Sequence, residues 1–219
     1  MRLFGCAVLF AVFSFVGPAL ADDAGSVCSS TGQIAHRWDV ITYTLHDEAR
    51  ESTEMAALMD RANKVAAACP MSPGALIWSA IGKFSYASYI KGLKGFGLVK
   101  EARTLLEKAL SIDPKNSVAM ANLGFLYYQV PGFPIGFGSD KKARQLLQQS
   151  LAIAPDDIDA IYFYGEFLAE KGDYRQAETT LDHALKVAPE PGREIGYEGR
   201  KKDVEDLLQK ISHNINDRS

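Results

Sequence analysis

Three eighteen-residue segments of the chain share one pattern. They are GLVKEARTLLEKALSIDP (97–114), GSDKKARQLLQQSLAIAP (138–155) and GDYRQAETTLDHALKVAP (172–189). Each has Gly first, Ala sixth (Ala102, Ala143, Ala177) and Leu tenth (Leu106, Leu147, Leu181). The thirteenth position is small (Ala109, Ser150, Ala184), and Pro closes the segment. Spacings of four and three put these positions on one helical face. Gly opens a turn, polar residues start the helix, and Pro stops the next turn. The small side chains let a neighbouring helix come close. Upstream lies a second amphipathic segment, NLGFLYYQ (122–129) in one copy and YFYGEFLAEK (162–171) in another. The unit is therefore a helix–turn–helix, and Pro155 to Pro189 spans 34 residues. One such unit cannot bury its own apolar face, so the units must stack.

The pattern resembles the tetratricopeptide repeat family. The third copy carries Tyr164-Gly165, Leu168, Ala177, Leu181, Ala184 and Pro189 at the family's positions. The second carries Leu123-Gly124, Tyr127, Ala143, Leu147 and Pro155. The first has the second helix, but Ile90 stands where its first helix would carry Gly. The resemblance covers residues 83–191. It implies an all-α, TPR-like α-solenoid with a concave groove lined by the first helices. It would turn Asp159, Tyr162, Glu166, Ala169 and Glu170 to the groove from the third copy. The second copy would supply Val118, Ala121, Phe125, Tyr128 and Gln129, and the first Phe84, Ala87, Lys91 and Lys94. A protein or peptide partner would anchor on Phe125, Tyr128 and Tyr162. Charged residues such as Glu166 would orient it at the rim. Tyr162, Phe163 and Tyr164 are consecutive, so they spread over about 200° and cannot all be core. The alternative is that these aromatics fill space against the inserted loop or the N-terminal helices. Interior packing and binding anchors use the same residue types.

The flanks complete the array. Residues 22–32 read as an irregular arm, and 33–82 as degenerate N-terminal helices. Ile34, Trp38 and Ile41 recur at helical spacing. Either one long helix runs through 33–69, or it breaks near 46–51 with Ser52 or Thr53 as N-cap. Residues 192–219 read as a capping helix and tail. Val204, Leu207, Leu208 and Ile211 share one face there, and a terminal repeat needs such a cover.

One segment breaks the regularity. Pro114 to Pro155 is 41 residues, seven more than a repeat, and the surplus falls in VPGFPIGFGSDKKA (130–143). Pro131 and Pro134 forbid a helix there. Read as an extended chain, the insertion (131–138) puts Phe133, Ile135 and Phe137 on one side. That apolar edge either plugs a gap between helices or forms a lip on the groove near Tyr128 and Tyr162.

Residues 1–21 read as a secretory signal peptide. Arg2 precedes an apolar run from Leu3 to Val16, and Ala19-Leu20-Ala21 offers cleavage before Asp22. The expected location is the periplasm or the exterior, with no membrane span after cleavage. Losing residues 1–21 removes only Arg2, which leaves 23 basic against 27 acidic residues and a net charge of −4. A mildly acidic chain without a Lys/Arg cluster is a poor nucleic-acid binder. Cys28 and Cys69 remain, and an even pair in an oxidising compartment suggests a disulfide. Enzyme chemistry finds no foothold. His36, His46, His183 and His213 never stand four apart, and there is no G-x-S-x-G. GLKGFG (92–97) has the wrong order for a dinucleotide loop and joins two helices. Neither a metal nor a cofactor is expected. A second reading remains, because the chain is also similar to the periplasmic TPR component associated with TRAP-type transporters. The shared features are a VPG-type loop before the A-L-A-P repeats and a charged last helix. That resemblance implies a small apolar ligand, a metabolite or lipid, in place of a protein.

Overall fold

The computed structural model describes residues 27–90 and 92–216, with side chains to residue 214. The signal-peptide reading, residues 22–26 of the expected arm and Lys91 lie outside the described residues, and the end of that arm, Thr31 and Gly32, is already helical. Among the described residues there are nine helices. They are α1 (Thr31–Thr44), α2 (Glu48–Ala68), α3 (Pro73–Tyr89), α4 (Leu93–Ile112) and α5 (Ser117–Gln129). Then follow α6 (Asp140–Ile153), α7 (Ile158–Glu170), α8 (Tyr174–Ala184) and α9 (Glu194–Asn216).

Local chemistry sets the boundaries. Ser72, Asn116, Ser139 and Asp157 each accept a hydrogen bond from a backbone N–H of the following turn. Each satisfies a donor that the helix itself leaves free. The break between α1 and α2 is real, but neither Ser52 nor Thr53 caps α2. Asp47 does, accepting from Arg50 N at 2.7 Å. Thr53 lies inside the helix and donates to Ala49 O. A second boundary also moves. GLKGFG does not simply join helices, because α4 starts at Leu93 and takes in Gly95 and Gly97.

The repeat positions form the core. Ala102, Ala143, Ala177, Leu106, Leu147, Leu181, Ala109, Ser150 and Ala184 are all buried. Ser150 can replace Ala because its hydroxyl donates to Ser117 O at 2.9 Å, so no polar group is stranded. The first helices lie close on the second ones. A Cβ on Gly165 would stand 2.5 Å from Leu181, and one on Gly124 2.9 Å from Leu147. Glycine is required there for space.

The array is stapled at one end. Cys28 and Cys69 form a disulfide, with Cα atoms 5.8 Å apart, tying the start of the described chain to the end of α2. Closing a loop of 41 residues stabilises the fold by about 4 kcal/mol on the chain-entropy model. At the other end α9 covers α7 and α8 with Val204 and Ile211 fully buried, as a cap must. It also does something a simple cap does not. It packs against α1, so the two ends of the solenoid meet across its concave side.

Candidate functional site: a cleft closed by the two chain ends

The meeting of α1 and α9 rests on two glycines and two arginines. Gly196 and Gly199 lie three apart on one face of α9. A Cβ on Gly196 would stand 2.5 Å from Asp39 Oδ1, and one on Gly199 would run into the Tyr43 ring. Only bare backbone fits against α1. Arg193 then donates two hydrogen bonds to the buried Asp39 carboxylate, at 2.9 and 2.7 Å. Burial pushes Asp39 upward, while Arg193 pulls the other way. Arg200, only 7% exposed, donates to Asp159 on α7 at 2.7 Å and to Asp203 at 3.0 Å. Burial alone would raise Asp159, but Arg200 and Arg193 outweigh it and hold that carboxyl below its ordinary value. Tyr43 completes the clasp, donating to Asp203 at 3.3 Å.

Beneath this clasp the first helices supply an aromatic floor. Phe84 on α3 meets Phe125 on α5 edge to face, with centroids 5.6 Å apart. Phe125 stacks on Phe163 of α7 at 4.2 Å. Tyr128 approaches Phe125 and Phe167 at 6.1 and 5.7 Å. Arg200 lies 4.5 Å over the Tyr162 ring, a cation–π contact that locks the wall to the floor. Between floor and clasp lies an open cleft of about 330 Å³. Its lining includes Trp38, Phe84, Phe125, Tyr162, Glu166 and Arg200. A smaller chamber of about 140 Å³ adjoins it, sharing Trp38, Phe163 and Arg200. Trp38 is fixed in the partition by donating to Ser85 Oγ at 2.9 Å.

Of the residues expected at the groove, Phe84, Phe125, Tyr162 and Glu166 line the cleft. Val118, Ala121 and Asp159 line the smaller chamber. Tyr128 sits just behind the floor with its hydroxyl buried. Gln129, Glu170 and Lys94 are exposed. Several contributors came from outside the repeats and were not anticipated, chief among them Trp38 and Tyr43 on α1 and Arg200 and Asp203 on α9. The one sequence signal for them is the small-residue pair Gly196 and Gly199 on an otherwise charged helix.

The inserted loop lies elsewhere, so Phe133 and Phe137 are not groove or lip residues. The chain does not run extended. Ile135 N and Gly136 N both donate to Gly132 O, Gly138 N donates to Pro131 O, and Ser139 N to Tyr127 O. The turn destroys the alternation that would have aligned the three apolar residues. Phe137 alone packs inward, stacking on Phe96 of α4 at 6.5 Å and meeting Tyr127 at 5.8 Å. Tyr127 and Tyr128 are neighbours on α5 and so face different sides. Phe137 has followed Tyr127 to the side away from the cleft. Phe133 and Ile135 stay in water, 94% and 76% exposed.

The rest of the chemistry is spare. No group of three or more His, Cys, Asp or Glu among the described residues is arranged to hold a metal ion. No described helix is long and apolar enough to cross a membrane. His183 is exposed and pairs with Asp156 at 2.8 Å.

Comparison with known proteins agrees with the helix pairing. The family model described as tetratricopeptide repeat matches residues 141–194. Among solved structures the chain is similar to TTC0263, a thermophilic TPR protein in Thermus thermophilus. Identity is 15% and the TM-score 0.55, over 85% of this chain and 94% of that one. It also matches MamA 41-end from Desulfovibrio magneticus RS-1, at 16% identity and a TM-score of 0.45, over 90% and 99% of the two chains. No curated protein matches in sequence. With the repeat spacing, the buried Ala and Leu positions and the helix pairs in hand, the chain folds as an all-α TPR-like solenoid whose residues 141–194 match the tetratricopeptide repeat.

Proposed function

We propose that this protein is an exported interaction scaffold that takes a segment of a partner protein into the cleft between its first helices and α9. Proteins built on tetratricopeptide repeats bind protein partners, and the repeat match over residues 141–194 supports that much. The finer reading rests on one observation, the aromatic-floored cleft of about 330 Å³. That volume suits a large side chain with its immediate neighbours, at the small end of ligand sites. Phe84, Phe125 and Tyr162 offer rigid apolar surface, and each Å² they lose to a partner contributes roughly 25 cal/mol. The clasp of Arg193 and Arg200 gives the cleft a fixed wall, so little ordering is left for binding to supply. Export is supported by the apolar run and A-x-A site in residues 1–21 and by the Cys28–Cys69 bond. Nothing observed favours the transporter-associated receptor for an apolar metabolite, and no catalytic constellation argues for an enzyme.

A photo-cross-linking residue tests the reading directly. Placed at Tyr162 in the native host, it should capture a discrete partner protein. Placed at Phe133 on the loop, it should not. Capture at Phe133 alone would move the interface out of the cleft. Export is checked by fusing residues 1–40 to a phosphatase that is active only outside the cytoplasm. An inactive fusion would remove that part of the proposal.

A further inference from the structure

The cleft carries a carboxylate that the protein itself does not satisfy. Glu166 lies one turn after Tyr162 on α7 and lines the cleft. Its Oε2 has no exposed surface and no hydrogen-bond partner. A carboxylate oxygen in that state is unfavourable until it gains a donor or a proton. Its surroundings offer no relief. Glu170 follows on the same helix, and Asp203 approaches from α9. Arg200 is near, but its guanidinium already serves Asp159 and Asp203. Lys210 acts on Glu166 only through space, without a hydrogen bond. The hydroxyl of Tyr128, behind the floor, is the other buried side-chain polar atom among the described residues without a hydrogen-bond partner; burial, with Glu170 and Glu166 beside it, holds it in its neutral form. The floor is therefore apolar, and the free charge at its edge is negative.

We propose that the segment bound in the cleft pairs an apolar anchor with a lysine or arginine, whose cationic head meets the half-buried Glu166 carboxylate on its cleft-facing side. This rests on the cleft being the binding site. The anchor would lie on Phe84 and Phe125, and the cation would meet Glu166 with Glu170 and Asp203 nearby. A charge-assisted bond of that kind is short and strong where water is thin. Acidic segments would be turned away by the same three carboxylates, so the site selects as well as binds. A pH dependence follows. Burial, with Glu170 and Asp203, raises the Glu166 carboxyl above its ordinary value against the pull of Arg200 and Lys210. Glu166 must be ionised to hold the cation. Binding should therefore fade as pH falls, and at a higher pH than an ordinary glutamate would give.

Selection of random peptides displayed on phage against the oxidised, signal-free chain tests this. Enriched peptides should carry Lys or Arg beside an aromatic or aliphatic residue. Their affinity should drop at least tenfold on Glu166→Gln, and equally when the basic residue of the peptide is replaced by norleucine on the native protein. The second arm needs no protein variant, so misfolding cannot imitate it. Neutral or acidic peptides that bind Glu166→Gln unchanged, yet weaken on Phe84→Ala, would overturn the cationic partner and leave the cleft standing. Peptides indifferent to Phe84→Ala would overturn the cleft, and the inference with it.

Discussion

Two aromatic clusters flank α5, and they have opposite fates. On one side Phe84, Phe125, Tyr162 and Phe163 floor a cleft that stays open. On the other, Phe96 and Tyr127 are covered by Phe137 from the chain's own insertion. Their charges are balanced differently. The cleft's edge carries Glu166, Glu170 and Asp203. The loop side carries cations over its rings, Lys100 on Phe96 at 4.5 Å, Arg103 on Phe137 at 4.9 Å and Lys142 on Tyr127 at 4.9 Å. Aromatic content alone does not mark a binding surface. What separates the two clusters is whether the protein supplies its own cover and its own counter-charge. The loop side has both, and in the cleft Glu166 has no hydrogen-bonded counter-charge.

Five variants probe that contrast, and the largest effect falls on the cleft. Deleting residues 197–219 removes the buried Val204 and Ile211, the half-buried Leu207 and Leu208, and Arg200. The loss is on the order of 6 kcal/mol from apolar burial alone. That is most of a domain's margin, so the truncated chain should aggregate or fail to melt cooperatively. A monomer with unchanged melting would show that α9 does not build the cleft.

Next come the two cations. Arg200→Met takes the shared cation from Asp159 and Asp203, leaving them only Arg193 at 3.6 Å and the Tyr43 hydroxyl at 3.3 Å, and should cost about 3 kcal/mol in urea unfolding. Arg103→Met, on the loop side, removes a surface pair with Glu107 and a cation–π contact, and should cost about 1 kcal/mol or less. Equal losses would erase the distinction between a structural cation and a decorative one.

The loop itself divides. Phe137→Ala should cost about 2 kcal/mol, less than a fully buried phenylalanine, because part of the ring already meets water. Phe133→Ser with Ile135→Ser should shift stability by no more than about 0.5 kcal/mol, since both side chains are solvated in the native state. A large loss from the double substitution would mean that the loop tip has a cover of its own.

The repeat scaffold was legible because its information is local. Ala102, Leu106 and Ala109 recur with the helical period, and their counterparts in the next two copies pack the same way. The cleft was half legible for the same reason. Register placed Phe125, Tyr162 and Glu166 on the concave side. The other half joins residues that no period connects. Asp39 and Arg193 are 154 positions apart, and Tyr43 and Asp203 are 160. Helix α9 reads as a charged cap, and its arginines look solvated until α1 is brought against Gly196 and Gly199. The loop failed for a different reason. Alternation holds only for an extended chain, and the hydrogen bonds back to Gly132 and Pro131 fold the segment before Phe133 and Ile135 can reach a surface.

The central claim is that the open cleft, not the covered loop side, receives the partner. The direct test is the affinity of one cleft-selected peptide, measured by calorimetry on three proteins side by side. Binding should be at least tenfold weaker on Phe84→Ala than on the native chain, and unchanged on Phe133→Ser/Ile135→Ser. The reverse order, with the loop variant weakened and Phe84→Ala indifferent, would contradict the account.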